Sequence, residues 1–176
     1  MSERLDEIVA RAVAWSRSYL GSAEYTTRCL AFVEDAYERP NGIEIFGGDT
    51  AHGSAVLYQA GEAGGEPPVG AFVFYDCCGE LRGERRNWGH VGMVMGEGMV
   101  IHAWDVVRID HFRSVTELTP PPAWTAPAYV GWVCPERILL GHQQRDWGGS
   151  GGRGRGYGSV GTFCARGRHT PCAGPR

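Results

Sequence analysis

The feature that most constrains the fold of this chain is a change of hydrophobic period at Gly70. Before it, apolar residues recur with helical spacing: Leu5, Ile8, Val9, Ala12 and Val13 form one stripe, and the helix they imply runs to about Tyr19 and stops at Gly21. A second stripe passes through Cys29, Phe32, Val33, Ala36 and Tyr37, with Thr26 or Thr27 as N-cap and Pro40-Asn41-Gly42 as the stop. After Gly70 the apolar runs become short. Residues 71–75, 90–95, 99–104 and 129–134 read as strands, and 105–109 continues or bends into another. Between the two regimes, the Gly-rich residues 41–69 carry one short helical candidate at 51–59, and the polar residues 76–88 read as loop. Helices first and strands afterwards imply an α+β fold, with N-terminal helices packed on an antiparallel β-sheet.

The chain is long enough for one domain with a real core and too short for two: 176 residues, 43% of them hydrophobic. We expect that domain over residues 1–140 and a Gly/Arg-rich tail over 141–176, whose run Gly148-Gly149-Ser150-Gly151-Gly152-Arg153-Gly154-Arg155-Gly156 buries no apolar surface and reads as disordered. A net charge of −3 argues against nucleic acid or an anionic membrane as partner. The arginines of the tail are the exception, and a solvated segment is the plainer account of them. No apolar run approaches the roughly 20 residues of a membrane span, and the acidic start Met1-Ser2-Glu3-Arg4-Leu5-Asp6-Glu7 is not a secretory signal. A cytoplasmic location is the default expectation, with extracellular or cell-wall action only by a non-standard export route.

Six cysteines suggest a disulfide framework, but their spacing does not. Cys77 and Cys78 are adjacent, a separation that strains a mutual bridge, and no C-x-x-C pair exists for zinc. Cys164, His169 and Cys172 are the nearest approach to a ligand set, in a segment without apolar support. Reduced thiols, no metal and no cofactor are therefore expected, with Cys77 and Cys78 as surface thiols.

Chemistry is concentrated at three positions. Cys29 opens the second predicted helix, while His90 in Gly89-His90-Val91-Gly92 and His102 in Val100-Ile101-His102-Ala103 lie on two predicted strands around Gly96-Glu97-Gly98. A three-residue loop there would pair Met95 with Met99, Val94 with Val100 and Gly92 with His102, making His90 and His102 diagonal neighbours on one face. A register slip of one would separate them. A thiol at a helix N-terminus beside an imidazolium has its pKa lowered, from about 8.5 to roughly 3.5–7.5. Cys29 would then attack a carbonyl, His90 would move the proton, His102 would orient His90, and first-turn N–H groups would hold the oxyanion. The plainer alternative is an inert core cysteine and two structural histidines. His52, His111, His142 and His169 have no evident partners in the sequence.

These motifs resemble those of the NlpC-type cell-wall peptidases, a papain-like group, with the CHAP amidases as relatives. The resemblance covers about residues 15–134 and rests on Cys29 at a helix start, the run Pro68-Val69-Gly70-Ala71-Phe72-Val73-Phe74, Gly-His-Val-Gly, and Val-Ile-His-Ala a dozen residues later. It implies a papain-like fold and a catalytic Cys29, His90 and His102 acting on amide bonds of bacterial peptidoglycan stem peptides. A tyrosine upstream of the cysteine assists the oxyanion or substrate in that family, and Tyr19 or Tyr25 are the candidates. Arg28-Cys29-Leu30-Ala31 departs from the family's Asp-Cys-Ser-Gly. Two alternatives stand beside a hydrolase: transfer of an acyl group or deamidation on a protein or lipid, and a catalytically silent binding module.

Overall fold

The structure, a computed structural model, describes residues 2–61 and 65–147. In chain order the elements are α1 (Ser2–Arg17), α2 (Cys29–Asn41), β1 (Ile43–Glu44), α3 (Ala51–Leu57), β2 (Phe72–Asp76), β3 (Cys78–Leu81), β4 (Glu84–Asn87), β5 (His90–Gly96), β6 (Met99–Ala103), β7 (Val107–His111), a 3-10 turn (Ser114–Glu117), β8 (Ala128–Val133), α4 (Pro135–Ile138) and β9 (Gln143–Gln144). Five strands form one antiparallel sheet in the order β7-β6-β5-β2-β8. The fold is thus α+β, as the change of period implies. No described helix is long and apolar enough to cross a membrane.

Strand alternation gives the sheet two different faces. Phe72, Phe74, Val91, Met93, Ile101 and Ala103 meet the helices, where Phe32, Val33, Ala36 and Tyr37 supply the expected stripe of α2 and Ile8, Val9 and Ala12 that of α1. Full burial of a side chain such as Phe72 or Phe32 contributes about 1.5–3 kcal/mol. The other face is a smaller cluster of Ala71, Val73, Tyr75, Val94 and Val100, closed by Phe112 and Val115. His90 and His102 share the alternation of Val94 and Val100, on β5 and β6 respectively.

Several local expectations are corrected. Residues 78–87 are not loop: β3 and β4 pair antiparallel from Cys78↔Asn87 to Leu81↔Glu84, a two-stranded hairpin that strand propensity alone does not announce in so polar a stretch. Helix α2 is preceded by Arg28 with no side-chain cap, in place of Thr26 or Thr27, and continues through Pro40 to a left-handed Gly42. Cys77 is buried and Cys78 is disulfide-bonded, so neither is a surface thiol and the expectation of reduced thiols fails at Cys78. Cys29, Cys77 and Cys134 are free.

The folded body also reaches past residue 140. Ile43↔Gln144 and Glu44↔Gln143 pair β1 with β9, and the Trp147 indole donates to the Ile43 carbonyl at 2.8 Å between the guanidinium groups of Arg39 and Arg145. The run 148–156 and the trio Cys164, His169 and Cys172 lie outside the described residues. Among the described residues, no cluster of metal-ligating side chains occurs.

The β5–β6 hairpin reaches the expected parity by another route. Val94 pairs with Val100 as expected, but Gly96 pairs with Met99 across a two-residue turn, Glu97-Gly98, both residues having positive φ. Met95 is left as a bulge, and that extra residue cancels the slip a two-residue turn would otherwise cause. Met93 therefore faces Ile101, and a Cβ added to Gly92 would lie 3.0 Å from the Cβ of His102.

Candidate active site

His90 and His102 meet at the end of this hairpin. Their rings are T-shaped with centroids 5.0 Å apart, and His90 Nε2 lies 2.8 Å from His102 Nδ1. The contact continues beyond the expected pair: His102 Nε2 is 3.0 Å from Asp110 Oδ2, and Arg108 grips the same carboxylate through Nε at 2.6 Å and Nη2 at 3.1 Å. Register explains why. His102 pairs with Arg108 and Val100 with Asp110, so these side chains project from one face of β6 and β7. Tyr75 and Trp104 wall the His90 ring, with centroids at 6.0 and 5.1 Å.

This chain of contacts fixes the protons. Burial opposes the Asp110 charge, but the bonds from Arg108 and His102 outweigh it and hold the carboxyl below its ordinary range. An ionised carboxylate only accepts, so His102 donates from Nε2. Burial lowers the His102 pKa against the pull of Asp110, and burial together with the neighbouring His102 puts His90 well below the imidazole range. Each ring thus carries one proton at neutral pH. With its proton on Nε2, His102 accepts at Nδ1; His90 must then donate from Nε2, and its Nδ1 is left bare.

Cys29 reaches the hairpin at Val91, the residue after His90. Val94 exchanges hydrogen bonds with β2, through Val94 N to the Ala71 carbonyl and Gly70 N to the Val94 carbonyl. Alternation along an antiparallel strand then turns the Val91 N–H toward β6, beyond the last β5–β6 pair at Met93↔Ile101. The Val91 N–H, one residue from His90, and the first-turn N–H groups of Leu30 and of Cys29 itself lower the pKa of the Cys29 thiol. Cys29 is partly buried, at the opening of α2. Two residues earlier, Thr27 holds φ at +63°, a strained conformation for a β-branched residue that costs about 1–3 kcal/mol and marks the approach to the cysteine.

The thiol itself is not the expected low-pKa group. Burial pushes it up to about 11 despite the three lowering N–H contacts. The expectation required an imidazolium beside it, and the buried His90 is uncharged at neutral pH. At neutral pH the Cys29 group is thus a thiol and the His90 ring an uncharged imidazole, and among the described residues no hydrogen bond joins the two.

Tyr25 and Tyr19 belong to an aromatic cluster with Trp15 and Phe32 between the first two helices. The Tyr25 hydroxyl donates to Asp35 at 2.7 Å, and is thereby committed to α2. Asp110 and Arg108 are the members that sequence reasoning missed. Their i, i+2 spacing on a strand was the available signal, but the expected strand ended at residue 109. Nor are the remaining described histidines without partners: His52 contacts Asn87 and Asp76, His111 accepts from the Arg113 N–H, and His142 contacts the Leu139 carbonyl.

No model of a known protein family matches the chain, and no curated protein matches it either.

Proposed function

We propose that this chain is a papain-like, NlpC-type thiol hydrolase that cleaves amide bonds of bacterial peptidoglycan stem peptides, with Cys29 as nucleophile, His90 as general base and acid, and His102 as its orienter. One observation carries the reading: the donor order from Asp110 through His102 ends on a bare His90 Nδ1, one residue from Val91, whose backbone N–H lowers the pKa of the Cys29 thiol.

The chemistry follows from a neutral pair. As the sulfur attacks the substrate carbonyl carbon, its proton passes to His90 Nδ1 and an S–C bond forms. The oxyanion gathers the first-turn N–H groups, a contribution of about 3 kcal/mol per donor. Collapse breaks the C–N bond while His90 returns the proton to the leaving amine. Water, deprotonated by the same nitrogen, then attacks the thioester carbonyl, the S–C bond breaks, and His90 returns that proton to the Cys29 sulfur. Positive charge forms on His90 only during the reaction, and His102 with Asp110 behind it stabilises that charge as it forms.

The raised thiol favours one alternative, a silent module that keeps the fold. Incubating purified peptidoglycan with wild type and with Cys29→Ala, followed by mass analysis, decides between them. We expect new stem fragments from wild type alone, the substitution lowering the rate by at least about a thousandfold. Fragments from both proteins, or from neither, overturn the hydrolase reading on this substrate.

A further inference from the structure

A second polar constellation lies just ahead of His90 and takes no part in the proton chain. Its centre is Asn87, whose amide orientation is dictated by its neighbours. Oδ1 accepts the backbone N–H groups of Cys77 and Gly89, each at 3.0 Å. The other end must then be the NH2 group, and it donates to Asp76 Oδ1 at 2.6 Å and toward His52 Nδ1 at 3.0 Å. An accepting Nδ1 leaves the His52 ring proton on Nε2. Among the described residues, neither that Nε2–H nor Asp76 Oδ2 has a hydrogen-bond partner.

Both residues line a cavity of about 290 Å³ whose remaining walls are Ala55, Val56, Gln59, Ala60 and Val130. A fixed donor and a fixed acceptor therefore stand side by side at the rim of a small, mainly aliphatic hollow. This is close to the lower end of ligand-pocket sizes, enough for one or two amino-acid residues. The hollow is also tied to the catalytic strand. The His52 N–H donates to the Trp88 carbonyl at 3.1 Å, and a Cβ on Gly89, the residue before His90, would lie 2.4 Å from His52 N.

We propose that this hollow is a peptide-binding subsite: His52 Nε2–H donates to a backbone carbonyl of the ligand, Asp76 Oδ2 accepts a backbone N–H, and a small aliphatic side chain enters the Ala55–Val130 side. That the peptide held there is the arm of a substrate flanking the scissile bond rests on the hydrolase reading; the binding itself does not. A peptide amide supplies an adjacent acceptor and donor, as the rim requires, and a small side chain matches walls built from alanine and valine.

The test is a titration of isotope-labelled full-length protein with N-acetylalanine methylamide, followed by proton–nitrogen correlation spectra. Cys29→Ala is used as host so that turnover plays no part. We expect saturable shifts at His52, Ala55, Val56, Ala60 and Val130, and a Kd at least about tenfold weaker in His52→Ala and in Asp76→Asn. N-acetylsarcosine dimethylamide, which has no N–H to give Asp76, should bind at least about tenfold more weakly than the alanine probe. Shifts confined to other residues, or equal affinity in the Cys29→Ala host and in both variants made in it, overturn the subsite. A subsite that binds while peptidoglycan stays intact sinks the hydrolase reading alone; cleavage without binding here sinks the subsite alone.

Discussion

The His90–His102–Asp110 chain and the His52–Asn87–Asp76 cluster use nearly the same residue types on either side of Gly89, yet they differ in water. The two rings of the first are 3% and 0% exposed, whereas the His52 and Asp76 side chains of the second are 36% and 43% exposed. In the buried chain, desolvation moves both imidazoles down and makes a single protonation pattern hold at neutral pH. In the half-buried cluster, order comes from one amide whose oxygen is pinned by two backbone N–H groups. Burial fixes the protonation of one set, and a pinned amide fixes the orientation of the other.

The residue between the two regions offers the largest perturbation. Gly89 has φ at +71°, and an added methyl would meet the backbone of His52 at 2.4 Å. Gly89→Ala should cost about 3 kcal/mol from strain and overpacking together, read as a lower urea midpoint, and should disturb both constellations at once. A change below about 0.5 kcal/mol would mean that the two regions are not joined through this contact.

Next in size is the carboxylate behind the rings. Replacing the acid that directly orients a catalytic histidine lowers the rate by about 10⁴ through the wrong tautomer, and Asp110 stands one ring further away, so roughly 10–100-fold is expected for Asp110→Asn. The loss should fall on kcat with little change in KM, and nitrogen spectra of the rings should show mixed tautomers at His102. Asp110→Glu should restore part of both. Unaltered tautomers in Asp110→Asn would reduce the carboxylate to a structural partner of Arg108.

The most gradual effect concerns acid. His90 and His102 have folded pKa values below the ordinary 6.5, so below that pH the unfolded chain binds more protons. Stability is complete above pH 6.5 and falls as pH drops from there toward the folded values, by up to about 1.4 kcal/mol per pH unit for each ring. Asp110, held below 3.8, contributes stability that is lost only at still lower pH. Melting temperature should therefore decline between pH 6.5 and 5, and His90→Phe should flatten that decline. An identical slope in the variant would remove His90 from the buried set.

Much of this arrangement is legible in the order of residues. Apolar periodicity determined the helical stripes of α1 and α2, the change at Gly70 and the α+β class, because burial of one face is a local pattern summed along an element. The pairing of His90 with His102 follows from strand alternation. Its route does not, since the turn and the bulge at Met95 each shift register by one and only their sum is visible from outside the hairpin. The polar hairpin of β3 and β4 and the docking of Gln143–Trp147 on β1 have no periodic signature, being set by partners distant in the chain. The same is true of the titration of Cys29: a cysteine at a helix start promises a thiolate, and only the packed surroundings, through burial, decide for a thiol. Sequence determines which groups are present and which face they share. Desolvation belongs to the whole assembled interior, and so the direction in which each proton leans was decided by the tertiary structure.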